Sequence, residues 1–262
     1  MVEAVTANLA CGGPHTSASI AGAQAWAKAA ASEGIDLLFL QECPEDLAPI
    51  LGERYSTFAY DGDRPAYRCR ALLAVRRGSA LQASRVALPT ADYHRTYLAA
   101  ARVQLGSLDP FVAVSVHASP TPFEARYRND WPWRLAEERT VQVGQRLWDA
   151  DFVLDTLLRL TKDRVGVLAA GDFNEARAFD TAGNPWAKQY FARAKNAGLR
   201  DVTHRLWEGE RPTRGAFQDD HVLATANLDV RIRHAEVVSD GPLASVESDH
   251  HPLRWSIDLD PS

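Results

Sequence analysis

The chain has 262 residues, 46% of them hydrophobic and 24% charged, with a formal net charge of −5. That balance describes a soluble globular protein with a sizeable core, and the length fits one large domain or two small ones. The acidic sign argues against a protein that coats nucleic acid non-specifically, although a local basic patch or a bound cation can offset it in a nuclease. Cys11, Cys43 and Cys69 have no paired spacing, so they make neither a disulfide framework nor a zinc knuckle and read as small buried hydrophobes. The N-terminal Met1-Val2-Glu3-Ala4 has no basic region or apolar signal core, and no apolar stretch is long enough to span a bilayer. A cytoplasmic monomer with no membrane association is therefore expected.

In chain order, Ala4 to Leu9 is a short strand candidate with polar Asn8 near its end. Ser17 to Ala31 is Ala-rich and predicts a helix, closed by Gly34. Ile35 to Leu40 is an unbroken apolar run apart from Asp36, a buried strand that leads straight into Gln41-Glu42. Ala71 to Val75 predicts another strand, with Arg76-Arg77-Gly78 as its turn. Leu98 to Leu105 and Phe111 to Val116 predict a hairpin that ends at His117. Leu135 to Leu160 has a long helical pattern. Val165 to Ala170 is a buried strand that runs into Gly171-Asp172-Phe173-Asn174. Pro185 to Ala197 predicts a helix stopped by Gly198. His221 to Ala224 and Ile232 to Val238 are late strands, and Leu253 to Leu259 alternates as a half-buried strand does. Neither a repeat nor a linker interrupts this order. One domain is expected, with antiparallel-rich sheets flanked by helices.

Five of these strand ends carry groups that ligate metals or move protons: Asn8, Glu42, His117, Asp172 with Asn174, and Asp249 with His250. A lone Asp or Glu at a strand end is usually a turn-former or helix cap. Five such ends together are hard to explain as loop chemistry. The set suits phosphoester hydrolysis. A hard cation such as Mg²⁺ takes oxygen ligands, few of them from protein. Glu42 and Asp249 supply carboxylates, while Asn8 and Asn174 supply neutral oxygens or amide donors. The cation offsets charge on the phosphoryl oxygens, and a His or Asp activates water for in-line attack. A carboxylate directly before an imidazole, as in Asp249-His250, is one way to orient a general base.

Asn8, Gln41-Glu42, His117-Ala118-Ser119-Pro120, Gly171-Asp172-Phe173-Asn174, Asp220-His221-Val222 and Ser248-Asp249-His250-His251-Pro252-Leu253 resemble, in order, the motifs of the endonuclease/exonuclease/phosphatase superfamily, to which deoxyribonuclease I belongs. The resemblance runs from Asn8 to Leu253. It implies a four-layered α/β sandwich, two packed and mostly antiparallel β-sheets flanked by helices, and dependence on Mg²⁺ or Mn²⁺. It also implies Glu42 as the main metal ligand with Asn8 and Asp249 nearby, and Asp172 as the group that orients or deprotonates the attacking water. By the same resemblance Asn174 holds the scissile phosphate, and His250 pairs with Asp220 or Asp249 as base or phosphate contact. His117 binds phosphate or helps protonate the leaving group, and Arg95 is a phosphate-binding arginine. Arg70 departs from the pattern, because relatives often carry a small residue there.

Blander readings stand beside these. His117 could be a core histidine and Asp220 a turn carboxylate; inside the full motif set the functional reading is preferred for both. His221 reads as a satisfied strand histidine and Asp201 as structural. The stretch Phe123 to Arg134, with Arg128, Trp131 and Trp133, could stack bases and clamp phosphates, or could pack as an ordinary loop. It is the candidate for substrate selection. The leading function is a metal-dependent phosphodiesterase acting on nucleic acid. The alternatives are a phosphatase for a small phosphorylated metabolite and a catalytically dead binding protein on the same fold. Retention of Glu42, Asp172, Asn174, Asp249 and His250 argues against the last.

Overall fold

The computed structural model describes residues 1–10, 20–44, 46–59, 70–88, 97–106, 108–118, 149–162, 165–180, 185–245 and 247–258. Two six-stranded sheets form the centre. The strands are β1 (Val2–Asn8), β2 (Leu37–Cys43), β3 (Tyr55–Phe58), β4 (Arg70–Arg76), β5 (Leu81–Arg85), β6 (Leu98–Leu105), β7 (Phe111–His117), β8 (Gly166–Asp172), β9 (Leu199–Asp201), β10 (Asp220–Thr225), β11 (Ile232–Val237) and β12 (Leu253–Ile257). The helices are α1 (Ile20–Ser32), α2 (Leu47–Leu51), α3 (Asp149–Lys162), α4 (Trp186–Asn196), α5 (Val202–Trp207), α6 (Ala226–Asp229) and α7 (Gly241–Ala244), with a 3₁₀ turn at Arg177–Phe179. One sheet has the order β11-β12-β1-β2-β4-β3 and the other β5-β6-β7-β8-β10-β9.

Strand direction positions the site. In the first sheet β1 and β2 are parallel, and in the second β7 and β8 are parallel; the other pairs are antiparallel. The register sets Asn8 opposite Gln41 and His117 opposite Asp172 at the ends of the two parallel pairs. β10 runs against β8, so its first residue, Asp220, pairs with Asp172. β12 runs against β1 with Leu253 opposite Thr6, which delivers the preceding Ser248 to Pro252 segment to the same edge. Asn8, Glu42, His117, Asp172, Asp220 and the Asp249–His250 segment thus come to one rim of the sandwich, as crossover connections between parallel strands dictate.

The apolar faces account for the layers. Phe39, Leu73, Phe111, Leu168, Val222 and Trp255 fill the space between the sheets, with the Phe39 and Trp255 rings 5.4 Å apart. Leu154, Leu157, Phe173 and Tyr190 pack α3 and α4 onto the second sheet. Trp26, Leu38, Leu47 and Leu243 pack α1, α2 and α7 onto the first. Trp26 donates its indole N–H to the Leu243 carbonyl at 2.8 Å, which satisfies the polar atom of a buried ring. The expected layered sandwich, with mostly antiparallel sheets, is what forms. No described helix is long and apolar enough to cross a membrane.

Within the described residues the predicted strands and helices are present with small shifts at their ends, while 17–19 and 135–148 of the predicted helices lie outside them. The Ala-rich helix is described from Ile20, the long pattern from Leu135 is described from Asp149, and Cys43 is buried as expected, whereas Cys11 and Cys69 lie outside the described residues. Arg70 starts β4 and pairs with Cys43 across a register shift in β2. β3, β5 and β9 have no counterpart among the predicted strands. All three lie at sheet edges, where a short strand with one neighbour needs no continuous apolar run.

Candidate active site

Three backbone features shape the rim. Gly171 has φ +144° and lies so close to β7 that a Cβ there would sit 2.0 Å from the Val116 carbonyl oxygen, so glycine is required immediately before Asp172. Glu42 and Asn174, both non-glycine, have φ of +49° and +48°. The register shift between Leu40 and Cys43 re-aims Glu42 out of the strand, as bulges beside functional sites do. Such left-handed residues cost of order 1–3 kcal/mol each and persist only where their surroundings over-determine them. Directly beneath, fully buried Gln41 accepts from Thr6 Oγ1 at 3.2 Å and donates to Ser115 Oγ at 3.0 Å, a polar link between the two sheets.

On this base the side chains converge. Asn8 Nδ2 donates to Glu42 Oε1 and to Asp172 Oδ2, each at 3.1 Å. Its Oδ1 accepts from the Ala10 amide at 2.9 Å. Asn8, expected as a metal ligand, thus turns its amide nitrogen to the two carboxylates and ties Glu42 to Asp172 in this structure. His117 Nε2 lies 3.6 Å from Glu42 Oε1 and 4.0 Å from Asp172 Oδ2. Asp172 Oδ1 accepts from the Asn174 amide at 2.9 Å. Asn174 Nδ2 donates to the Ala118 carbonyl at 2.5 Å, so the amide expected to hold phosphate also ties the turn to β7. His250 Nδ1 bonds Asp220 Oδ2 at 2.8 Å, and its Nε2 lies 3.7 Å from Asp172 Oδ2. Of the two candidate partners for His250, Asp220 holds the ring; Asp249 Oδ1 is 3.9 Å from Nε2.

Asp249 itself is 61% exposed in its side chain and accepts from Arg214 Nε at 2.8 Å. It was expected as a metal ligand beside Glu42; in this structure its carboxylate is engaged by a guanidinium at the outer edge. Arg214 Nη1 also lies 3.6 Å from Asp219 Oδ2. Thr213 Oγ1 accepts from the amides of both Asp219 and Asp220 at 3.1 Å, which fixes the start of β10. Arg214, Thr213 and Asp219 were not legible as site residues. Asp219 carried a weak signal in its adjacency to Asp220, and Arg214 carried none.

Charge and burial set the protonation. Burial raises Asp172 above the ordinary carboxylate range, against the lowering pull of His250. Burial works to lower His250, but the Asp220 and Asp172 carboxylates outweigh it and lift the imidazole to about 10. His250 is therefore an imidazolium at neutral pH. Burial holds His117 below its ordinary value, with Glu42 opposing and His250 reinforcing, so this ring is neutral. Burial pushes Asp249 up, but its bond to Arg214 and the neighbouring positive charges bring it below the usual range.

Among the described residues no three His, Cys, Asp or Glu side chains form a ready-made metal cage. The donors still suit a hard cation that keeps most of its waters. Glu42 presents a carboxylate beside Asp172, whose burial disfavours the charged form in a way that an adjacent cation relieves. Behind the rim, His221 Nε2 faces the Glu175 carbonyl at 2.8 Å, and its Nδ1 lies 3.3 Å from Asp201 Oδ2. Asp201 also caps α5 through the His204 amide at 3.1 Å. His221 is satisfied, as expected, and Asp201 holds it, the α5 cap and Arg177 together behind the rim. Arg95, Arg128, Trp131 and Trp133, with the rest of Phe123 to Arg134, lie outside the described residues.

This fold is the one found in solved structures of endonuclease/exonuclease/phosphatase proteins. An endonuclease for abasic sites from Archaeoglobus fulgidus superposes with a TM-score of 0.65 at 17% identity, over 98% of this chain and 100% of that one. A 3′-5′ exonuclease from Neisseria meningitidis gives a TM-score of 0.63 at 18% identity, over 98% and 100%. An endonuclease/exonuclease/phosphatase protein from Bacteroides vulgatus gives 0.66 at 15% identity, over 99% of each chain. No family model matches the sequence, and neither does any curated protein. At these identities the likeness establishes the shared fold.

Proposed function

We propose that the protein is a divalent-metal-dependent phosphodiesterase that cleaves nucleic acid by in-line attack of water. The observation that carries this reading is the convergence of Glu42, Asp172, His117 and the Asp220–His250 pair within hydrogen-bonding or near-contact distances at one rim. Glu42 would hold Mg²⁺ or Mn²⁺, which when bound supplies a Lewis acid for the phosphoryl oxygens. Asp172, kept in place by Asn8 and the Asn174 amide, orients the attacking water and takes its proton. The His250 imidazolium points Nε2 toward the same space and donates a hydrogen bond to phosphoryl oxygen as negative charge builds there. His117 is uncharged and sits against Glu42, where it contacts the phosphate or the leaving oxygen. Asn174 and the Arg128, Trp131 and Trp133 segment are proposed to hold the substrate, with Arg95 as a further phosphate contact.

The nuclease reading is also supported by the likeness to solved nuclease structures. A second reading, hydrolysis of a small phosphorylated metabolite, draws on the net charge of −5. An activity screen decides between them: plasmid DNA, RNA, bis-p-nitrophenyl phosphate and a panel of phosphomonoesters, each with Mg²⁺, Mn²⁺ and EDTA. Cleavage of polymer and diester that EDTA abolishes supports the proposal. Turnover confined to monoesters supports the second reading, and no turnover of any substrate sinks both.

A further inference from the structure

We propose that the exposed pair Phe179 and Phe217 is a stacking platform for a nucleobase of single-stranded nucleic acid, with Arg214 as the cation for the adjoining phosphate. The inference rests on the nuclease reading and deepens it. The large hydrophobic side chains exposed among the described residues are Met1, Ile20, Phe179, Phe217 and Val230, and the two aromatic ones touch, with ring centroids 4.8 Å apart and planes at 50°. Phe179 is 44% and Phe217 39% exposed, and neither belongs to any of the three buried clusters. Packing against each other buries part of each ring, and what remains is a small exposed aromatic patch beside the rim.

Their positions tie them to the rim. Phe179 ends the 3₁₀ turn that follows Asp172 to Asn174, and Phe217 closes the turn whose first residue, Arg214, bridges to His250. Both backbones are held. Phe217 and Arg214 exchange hydrogen bonds of 2.9 Å, and Thr213 donates to the Phe217 carbonyl at 2.8 Å. The 3₁₀ turn is pinned by Glu210, which accepts from the Arg177 and Ala178 amides at 2.6 and 3.2 Å, and by an Arg177–Asp201 ion pair of 2.9 Å. Arg214 and Phe217 are paired across an antiparallel bridge, which sets a cation next to the aromatic pair, as a nucleotide with a π-face to stack and a phosphate to pair requires. Arg214 is 42% exposed in its side chain, so it can reach phosphate while its Nε stays on Asp249.

The test is equilibrium binding in EDTA, by fluorescence anisotropy, of a single-stranded oligodeoxynucleotide and of an equally long sugar-phosphate strand without bases. Wild type is compared with Phe179→Ala, Phe217→Ala and Phe217→Trp, and thermal midpoints verify folding. Wild type should prefer the base-bearing strand by between about fivefold and a hundredfold, as one stacked base implies. Each alanine variant should lose most of that preference yet bind the baseless strand as before, and Phe217→Trp should keep it. Equal wild-type affinity for the two strands, or alanine variants with the preference intact, overturns the platform. So does an equal loss on both strands. Metal-dependent hydrolysis of bis-p-nitrophenyl phosphate by wild type is measured separately. Its absence alongside an intact base preference would remove the phosphodiesterase reading and leave the platform standing.

Discussion

Asp220, the first residue of β10, holds Nδ1 of His250 at 2.8 Å, and through that bond aims Nε2 at Asp172, 3.7 Å away. The two partners are thirty residues apart in sequence. Their pairing keeps His250 charged to about 10, against the burial that would discharge it. The direction of the stability contribution follows. A folded-state value above the ordinary 6.5 gives stability that is complete below 6.5 and is lost as pH rises through about 10. Replacing Asp220 by Asn removes the negative charge that does most to raise it. The basic limb of the kcat–pH profile on a chromogenic diester should move down from about 10 toward 6.5. A basic limb that stays in place in Asp220→Asn would show that Asp220 does not govern the histidine.

Glu42→Gln keeps the size of the side chain and discards the charge that a hard cation needs. Its left-handed backbone at φ +49° is set by the bulge in β2, so the fold should hold. Metal titration of the variant, read as the Mg²⁺ concentration for half-maximal rate, should shift upward by at least about tenfold, the scale of a lost ligand interaction of roughly 1.4 kcal/mol. An unchanged titration would remove Glu42 from the cation site.

Asp172→Asn and His250→Ala should each lower turnover by at least on the order of 10²-fold, as losses of a proton acceptor and of an oriented donor do. Both positions end or follow strands, so circular dichroism should remain that of wild type. Turnover near the wild-type rate in either variant would mean that the rim works through other groups.

Gly171→Ala should unfold the protein more easily without touching any reacting atom. The residue sits at φ +144°, and its added Cβ would meet the Val116 carbonyl at 2.0 Å and Gln41 Nε2 at 2.8 Å. Strain of this kind costs about 1–3 kcal/mol before the clash is relieved. Denaturant titration should show a loss of at least about 2 kcal/mol. A midpoint equal to wild type would show that β7 and β8 can separate at the rim without penalty.

Much was legible because the chemistry lies at the ends of buried strands. Leu37 to Leu40 and Val165 to Ala170 are apolar on both faces, so the polar residues that end them stand out as departures from an otherwise continuous pattern. The edge strands β3, β5 and β9 were not legible, because each is short and has a single neighbour. Nor were Arg214 and the Phe179–Phe217 pair, since an exposed arginine or phenylalanine in a turn has no local pattern to mark it.

The sequence by itself determined which strands are buried, which polar groups end them, and that His250 follows a carboxylate. Only the tertiary structure decided that Asp220, and not the adjacent Asp249, orients the imidazole, that Asp249 is instead drawn off by Arg214, and that Asn8 presents its nitrogen to Asp172 from 164 residues away. The physical reason is strand direction. Two parallel pairs, with β10 and β12 running against them, bring six distant strand ends to one rim, and which side chains then meet is fixed by sheet register and by the bulge in β2, neither of which a local pattern of residues contains.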